Sequence, residues 1–163
     1  MKKEDKTEAA IAVFMYTPTI SKHKITGMIH FTPVKNSKKT LIRGEIRGLT
    51  PNHKHGFHIH EAGDLSLGCQ TLCSHYNPRR MIHGGHHGKM RHAGDLGNLR
   101  ANRKGIAKIR ILVSDLSPVK IWGRSLVIHE DEDDLGRGEH EDSKTTGHSG
   151  ARIACAIIGR KMI

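Results

Sequence analysis

Apolar residues recur at every second position along most of this chain, and no stretch carries the 3.6-residue period of an amphipathic helix. That pattern restricts the fold to β-strands with one face buried and one face toward water. In TLIRGEIRGL, Ile42 and Ile46 share one side and Arg43, Glu45 and Arg47 the other. In GIAKIRILVSD, Ala107, Ile109, Ile111 and Val113 oppose Lys108 and Arg110. KITGMIHF aligns Ile25, Ile29 and Phe31, and AAIAVFMY, GFHIHE, LGNLRA, RSLVIHE and ARIACAIIG bring the total to about eight strands. Turn residues separate them at Asn36-Ser37, Thr50-Pro51-Asn52, Asn102 to Gly105 and Ser117-Pro118. Short strands, short turns and no helix predict an all-β antiparallel sandwich or barrel.

Two segments break the rhythm. Residues 62–95 and 131–150 are long, polar and rich in glycine. Long loops on a compact β scaffold are usually functional or disordered. With 163 residues and no composition shift that would mark a linker, the chain reads as one domain over 9–163 behind a flexible tail, 1–8. No apolar run reaches the roughly 18 residues that span a bilayer, so no membrane partner is expected. MKKEDKTEAA has no apolar leader-like run, which makes the cytoplasm the expected compartment. The net charge of +11 fits attraction to an anion. Because the cations are scattered, with no basic arm, nucleic-acid binding is a weaker reading. The three cysteines, Cys69, Cys73 and Cys155, form neither a zinc ribbon nor a CxxC pair.

Fourteen histidines are too many to be read as one group. His58 and His60 lie two apart in GFHIHE, so a strand points both to one face and Phe57 and Ile59 to the other. In SLVIHE the same parity sets Val127 and His129 against Leu126 and Ile128. If the apolar members are core, His58, His60 and His129 project outward together, where the long loops can cover them. His75, His83, His92 and Asp95 fall in the first long loop, which a metal could order. Imidazoles and a carboxylate without paired thiols suit copper or zinc. His23, His30, His53 and His55 read as turn or exposed-strand residues, His140 and His148 as solvated loop. His86 and His87 lack a partner spacing.

GFHIHEAGD, SHYNP, HGG…RHAGDLGN, GRSLVIHEDEDDLGRG and GHSGARIACAIIG, in this order, resemble copper–zinc superoxide dismutases from about Ala9 to the end of the chain. The resemblance implies an eight-stranded Greek-key β-barrel with a metal loop and an electrostatic loop. It implies copper on His58, His60, His75 and His129, and zinc on His75, His83, His92 and Asp95, with His75 shared. Asp133 matches a carboxylate that links His58 to His83. Cys69 and Cys155 match the family disulfide, which leaves Cys73 free. The implied activity is conversion of superoxide to dioxygen and hydrogen peroxide by cycling Cu(II)/Cu(I), with His75 taking up and returning a proton. Arg152 would attract and orient the anion, and Thr146 would narrow the channel mouth.

The chain departs from the family pattern in two places. Asp131 and Thr145 stand where steering lysines are common, although Lys144 adjoins the latter. The family homodimer packs residues near 61–63 and 121–123, where Ala62 replaces a bulky aromatic and Trp122 an aliphatic residue. The pair either compensates across the interface or weakens it, or Trp122 packs locally. A copper chaperone is a further expected partner. The alternatives are a non-catalytic metal-binding or copper-delivery relative, which commonly loses copper ligands, and a basic nucleic-acid-associated protein.

Overall fold

The computed structural model describes residues 8–162. The expected tail, 1–8, lies outside them apart from Glu8. Eight strands form a single antiparallel sheet: β1 (Ala10–Phe14), β2 (Thr26–Pro33), β3 (Lys39–Arg47), β4 (Lys54–His60), β5 (Asp95–Arg100), β6 (Ile106–Ser114), β7 (Ser125–His129) and β8 (Arg152–Arg160). Their order is β5-β4-β7-β8-β1-β2-β3-β6, and the two end strands approach each other to make a nearly closed barrel. The β3–β4 and β6–β7 connections each pass over two strands, which is the Greek-key element of the fold.

Side-chain parity explains the interior. Ile25, Ile29, Phe31, Ile42, Ile46, Phe57, Ile59, Leu126 and Ile128 are all buried in one core cluster. Lys108 and Arg110 face out, while Ala107, Ile109 and Val113 face in. Asn36 and Asn52 take the turn positions with φ of 57° and 58°, a left-handed conformation that asparagine tolerates. The absence of helix holds for α-helix among the described residues, but Gly68–Thr71 and Pro118–Ile121 each form a single 3-10 turn.

Three features of the ladder position the long loops. β4 pairs directly with β7, with His58 opposite Val127 and His60 opposite Ser125. The β4–β5 register shifts between Gly56 and His58, and the β7–β8 register shifts between Ile128 and His129. Bulges increase local twist and re-aim side chains, and here both fall beside histidines. A short antiparallel segment is also stitched along the end of β4. The Tyr76 amide donates to the Ile59 carbonyl at 2.8 Å, and the Ile59 amide to the Gly94 carbonyl at 2.8 Å. That stitch sets His75 beside His60. It also requires glycine at 94, because a Cβ there would lie 2.3 Å from the Ile59 oxygen.

Candidate metal centre

His58, His60 and His129 leave the outer wall of the barrel, as parity predicts, yet all three are buried because the loops cover them. Val127 shares their face and packs with Leu72 and Cys69 of the first long loop. That loop is therefore packed and ordered, contrary to the flexibility its glycines suggest. His83, Gly84 and residues 91–95 are buried within it. The Cys69–Cys155 disulfide ties it to β8 across a separation of 86 residues. Cys73 is a free, exposed thiol.

Two clusters of potential ligand atoms form there: His58, His60, His75 and His129, and His58, His75, His83 and Asp95. His92 adjoins the second, with its Nδ1 3.2 Å from that of His75 and 3.2 Å from Asp95 Oδ1. Asp95 Oδ1 also lies 3.0 Å from His75 Nδ1 and 3.0 Å from His83 Nδ1. Its other oxygen accepts the Gly84 and His92 amides at 3.0 and 2.8 Å, which turns Oδ1 toward the nitrogens.

Does this arrangement fit a metal? Tetrahedral zinc with bonds near 2.0–2.1 Å separates its ligand atoms by about 3.3 Å. The 3.0–3.2 Å spacings come close to that value. His83 Nδ1 is buried and makes no properly directed hydrogen bond, although Asp95 is so near. Two lone pairs aimed at a common point produce this geometry. In the other cluster His60 Nε2 and His129 Nε2 are 3.3 Å apart, while His58 Nδ1 and His75 Nε2 are buried without partners. The donor set and its unsatisfied atoms fit one ion on each side of His75.

Outer hydrogen bonds choose which nitrogen each ring presents. His60 Nδ1 donates to the Cys73 carbonyl at 2.9 Å, and His129 Nδ1 to the Gly150 carbonyl at 3.2 Å, leaving both Nε2 atoms free. His58 and His83 are held the other way round. Asp133 accepts from His58 Nε2 at 2.6 Å and from His83 Nε2 at 2.8 Å, so each ring offers Nδ1. Asp133 is itself fixed by the Leu135 amide at 2.7 Å, and Asn98 pairs with its backbone. Gly147 closes over the bridge. A Cβ there would lie 2.0 Å from Asp133 Oδ1, and its φ of 72° favours glycine.

The electrostatics follow from burial. Burial pushes His58, His60 and His75 below the ordinary histidine value, with neighbouring imidazoles adding to the shift. Burial also takes His129 down to about 3, partly opposed by its bond to Gly150. These rings are neutral near pH 7, the form that can bind metal. Burial would lower His83 too, but Asp133 and Asp95 on either side raise it to about 9. For Asp95, burial opposes ionisation, yet the close approach of His75, His83 and His92 holds it well below the usual carboxylate range.

Arg152 is half-buried, at the start of β8. Its guanidinium donates to the carbonyls of Cys69 at 2.9 Å, Gln70 at 3.4 Å and Cys73 at 2.6 Å. The Cys73 oxygen thus accepts from both Arg152 and His60. Thr146 is exposed and donates to Asp142. Asp131 is exposed, and Glu132 pairs with Lys54.

The expectation for His55 needs correction. It is buried, not exposed, and its Nδ1 donates to the His129 carbonyl at 2.8 Å. Its parity with Phe57 and Ile59 was the available signal. Gly147 and Asn98 had no such signal, since their roles arise from contacts with Asp133 and His83, which are distant in sequence. His86 and His87 join neither cluster.

Barrel and site together define a class: a β-barrel metalloprotein with two adjoining clusters of metal-seeking side chains that have His58 and His75 in common. Comparison with known proteins makes the class particular. The family model for copper/zinc superoxide dismutase (SODC) matches residues 25–158. A "Superoxide dismutase [Cu-Zn]" of Paramecium bursaria Chlorella virus 1 is 47% identical over 138 residues, covering 83% of this chain and 73% of that protein. An "Extracellular superoxide dismutase [Cu-Zn]" of Drosophila melanogaster is 45% identical over 141 residues, covering 85% and 77%. The crystal structure of the clock protein EA4 superposes with a TM-score of 0.86 at 41% identity, covering 96% of each chain. The chain belongs to the copper/zinc superoxide dismutase family. It is an enzyme that dismutes superoxide, with copper and zinc as its cofactors.

Proposed function

We propose the following division of labour for superoxide dismutation in this chain. His58, His60, His75 and His129 hold copper; His75, His83, His92 and Asp95 hold zinc. The position of His75 carries the assignment. Its Nδ1 faces Asp95 and His92 while its Nε2 is buried and unpartnered, whereas His58, the other ring in both clusters, has its Nε2 on Asp133 and only Nδ1 to offer.

Bound copper supplies one-electron exchange, and bound zinc supplies a fixed positive charge. Arg152 attracts superoxide and orients it, because a guanidinium is a planar, permanent cation. The three carbonyls that grip it keep it beside the copper histidines. His75 Nε2 is the atom that takes a proton and returns it to the second superoxide; with the electron exchanged at the copper histidines and a second proton from water, that superoxide leaves as hydrogen peroxide. Asp133 keeps His58 and His83 in the tautomers that leave Nδ1 free. Thr146 and its partner Asp142 border the approach.

The test combines copper and zinc content with superoxide decay on one sample. His129→Ala is expected to lose copper and activity while keeping zinc. Undiminished turnover by copper-reconstituted His129→Ala would refute the assignment.

The chain also pairs as a homodimer through 61–63 and 121–123. These segments meet in one surface. Ser125 Oγ donates to the Ala62 carbonyl at 2.7 Å, and a Cβ on Gly63 would lie 2.0 Å from the Gly123 oxygen. Trp122 sits there half-buried on the core edge, with its indole nitrogen unpartnered. Trp122→Glu is expected to shift the sedimenting species from dimer to monomer; a wild-type monomer would overturn the pairing.

A further inference from the structure

A cavity of about 480 Å³ opens between the start of β3, the end of β6 and the segment joining His83 to His92. Lys39, Arg79, Lys89 and Arg91 line it, against a single carboxylate, Asp115. Three positive charges are therefore unmatched. The one ion pair, Arg79 with Asp115, is long at 3.7 Å and about half exposed.

Arg91 is the most informative of these groups. It is only 3% exposed. All its hydrogen bonds go to main-chain carbonyls: His92 at 2.8 Å, Ala93 at 3.2 Å and Ser114 at 2.7 Å. Carbonyls orient a guanidinium but do not neutralise it; Asp95 and Asp115 favour its charge from a distance, neither pairs with it directly, and burial is the largest influence opposing that charge. Among the described residues, neither Arg91, Lys39 nor Lys89 pairs with a carboxylate. His86 also lines the cavity, and its Nε2 is buried with no partner.

We propose that this cavity binds a small oligophosphate. Lys39, Arg79 and Lys89 would contact phosphoryl oxygens, Arg91 would provide the charge behind them, and His86 Nε2 would be a further partner. The excess of three positive charges suits an anion carrying about three or four negative charges. The volume exceeds what one phosphate fills. A consequence follows for the metal centre. The cavity residues from His86 to Arg91 lie between His83 and His92, so an occupant ties down the chain between two zinc-cluster histidines, and binding and zinc retention become coupled. This consequence rests on the zinc assignment; the cavity's own affinity does not.

Inorganic tripolyphosphate is titrated calorimetrically into the metal-loaded protein at physiological ionic strength. The expected result is one site per chain. Arg79→Gln/Lys89→Gln should weaken binding by about tenfold or more, the loss of charged hydrogen bonds. Lys108→Gln/Arg110→Gln removes the same charge from the outer face of β6 and should leave affinity nearly unchanged. Equal loss in both double variants, or no binding by the unaltered protein, overturns the site. A single-stranded oligonucleotide that binds more tightly than tripolyphosphate and is lost in the same variant overturns the small-ligand assignment.

Discussion

Replacing Cys155 with serine opens a loop that closes half the chain. In the chain-entropy account, cross-linking residues 86 apart removes disorder from the unfolded state worth about 4–5 kcal/mol at 25 °C. Domains of this size have roughly 5–15 kcal/mol in hand, so the loss is a large fraction of the total. At roughly 2–4 °C per kcal/mol, the midpoint should fall by roughly 8–20 °C. The measurements are thermal unfolding for the midpoint and urea unfolding for the free energy, both on the metal-stripped protein, which separates the disulfide from the stabilisation that metals add. A second effect is local. Arg152 is gripped by carbonyls of the loop that Cys69 anchors, and Cys69 itself supplies one of them. Metal-loaded Cys155→Ser should therefore bind inhibitory anions more weakly while keeping copper and zinc. A stability loss below about 1 kcal/mol would refute the entropic reasoning. Unchanged anion affinity in a destabilised variant would refute the link between disulfide and Arg152.

Other outcomes test other parts of the site. Asp133→Asn places an amide between two ring N–H groups, forcing one histidine to the wrong tautomer, so zinc affinity should fall by about 10–100-fold in competition with a chelator. His83 is protonated below about 9 in the metal-free protein, and zinc needs its lone pair. Zinc binding at pH 8 should release about one proton from His83, and its contribution to apparent affinity should rise with pH and level off above about 9; calorimetry in buffers of different ionisation enthalpy checks both. Arg152→Lys keeps the charge but loses the planar fork on three carbonyls, and kcat/KM should fall by roughly tenfold at unchanged metal content. Gly147→Ala drives a methyl into Asp133 and His83, so it should lose zinc at a chelator concentration that the unaltered protein withstands.

Much of the barrel is legible from alternation, because a strand of period two must put Phe57 and Ile59 on one side and His58 and His60 on the other. The same rule places Val127 and His129 together, and the pairing of β4 with β7 joins them to the first pair. The rule was available for His55, whose parity matches Phe57. The loops resist such reading. Gly84, Gly85 and Gly94 look like flexible chain, but two of them sit where any Cβ would strike backbone, so close packing selects them. Arg91, in the same run, resembles a surface charge and is buried.

By itself the sequence determined the strands, their inward faces and the supply of metal-seeking side chains, because these depend on local period and residue chemistry. Tertiary structure decided which nitrogen each histidine presents. That choice is made by Asp133, Cys73 and Gly150, which lie 13 to 75 residues away from the rings they orient. It also decided that His75 stands between two clusters, since the stitch to Ile59 and Gly94 exists only once the loop has folded back on the barrel. A hydrogen bond across such distances depends on where the chain returns, and no local period records that.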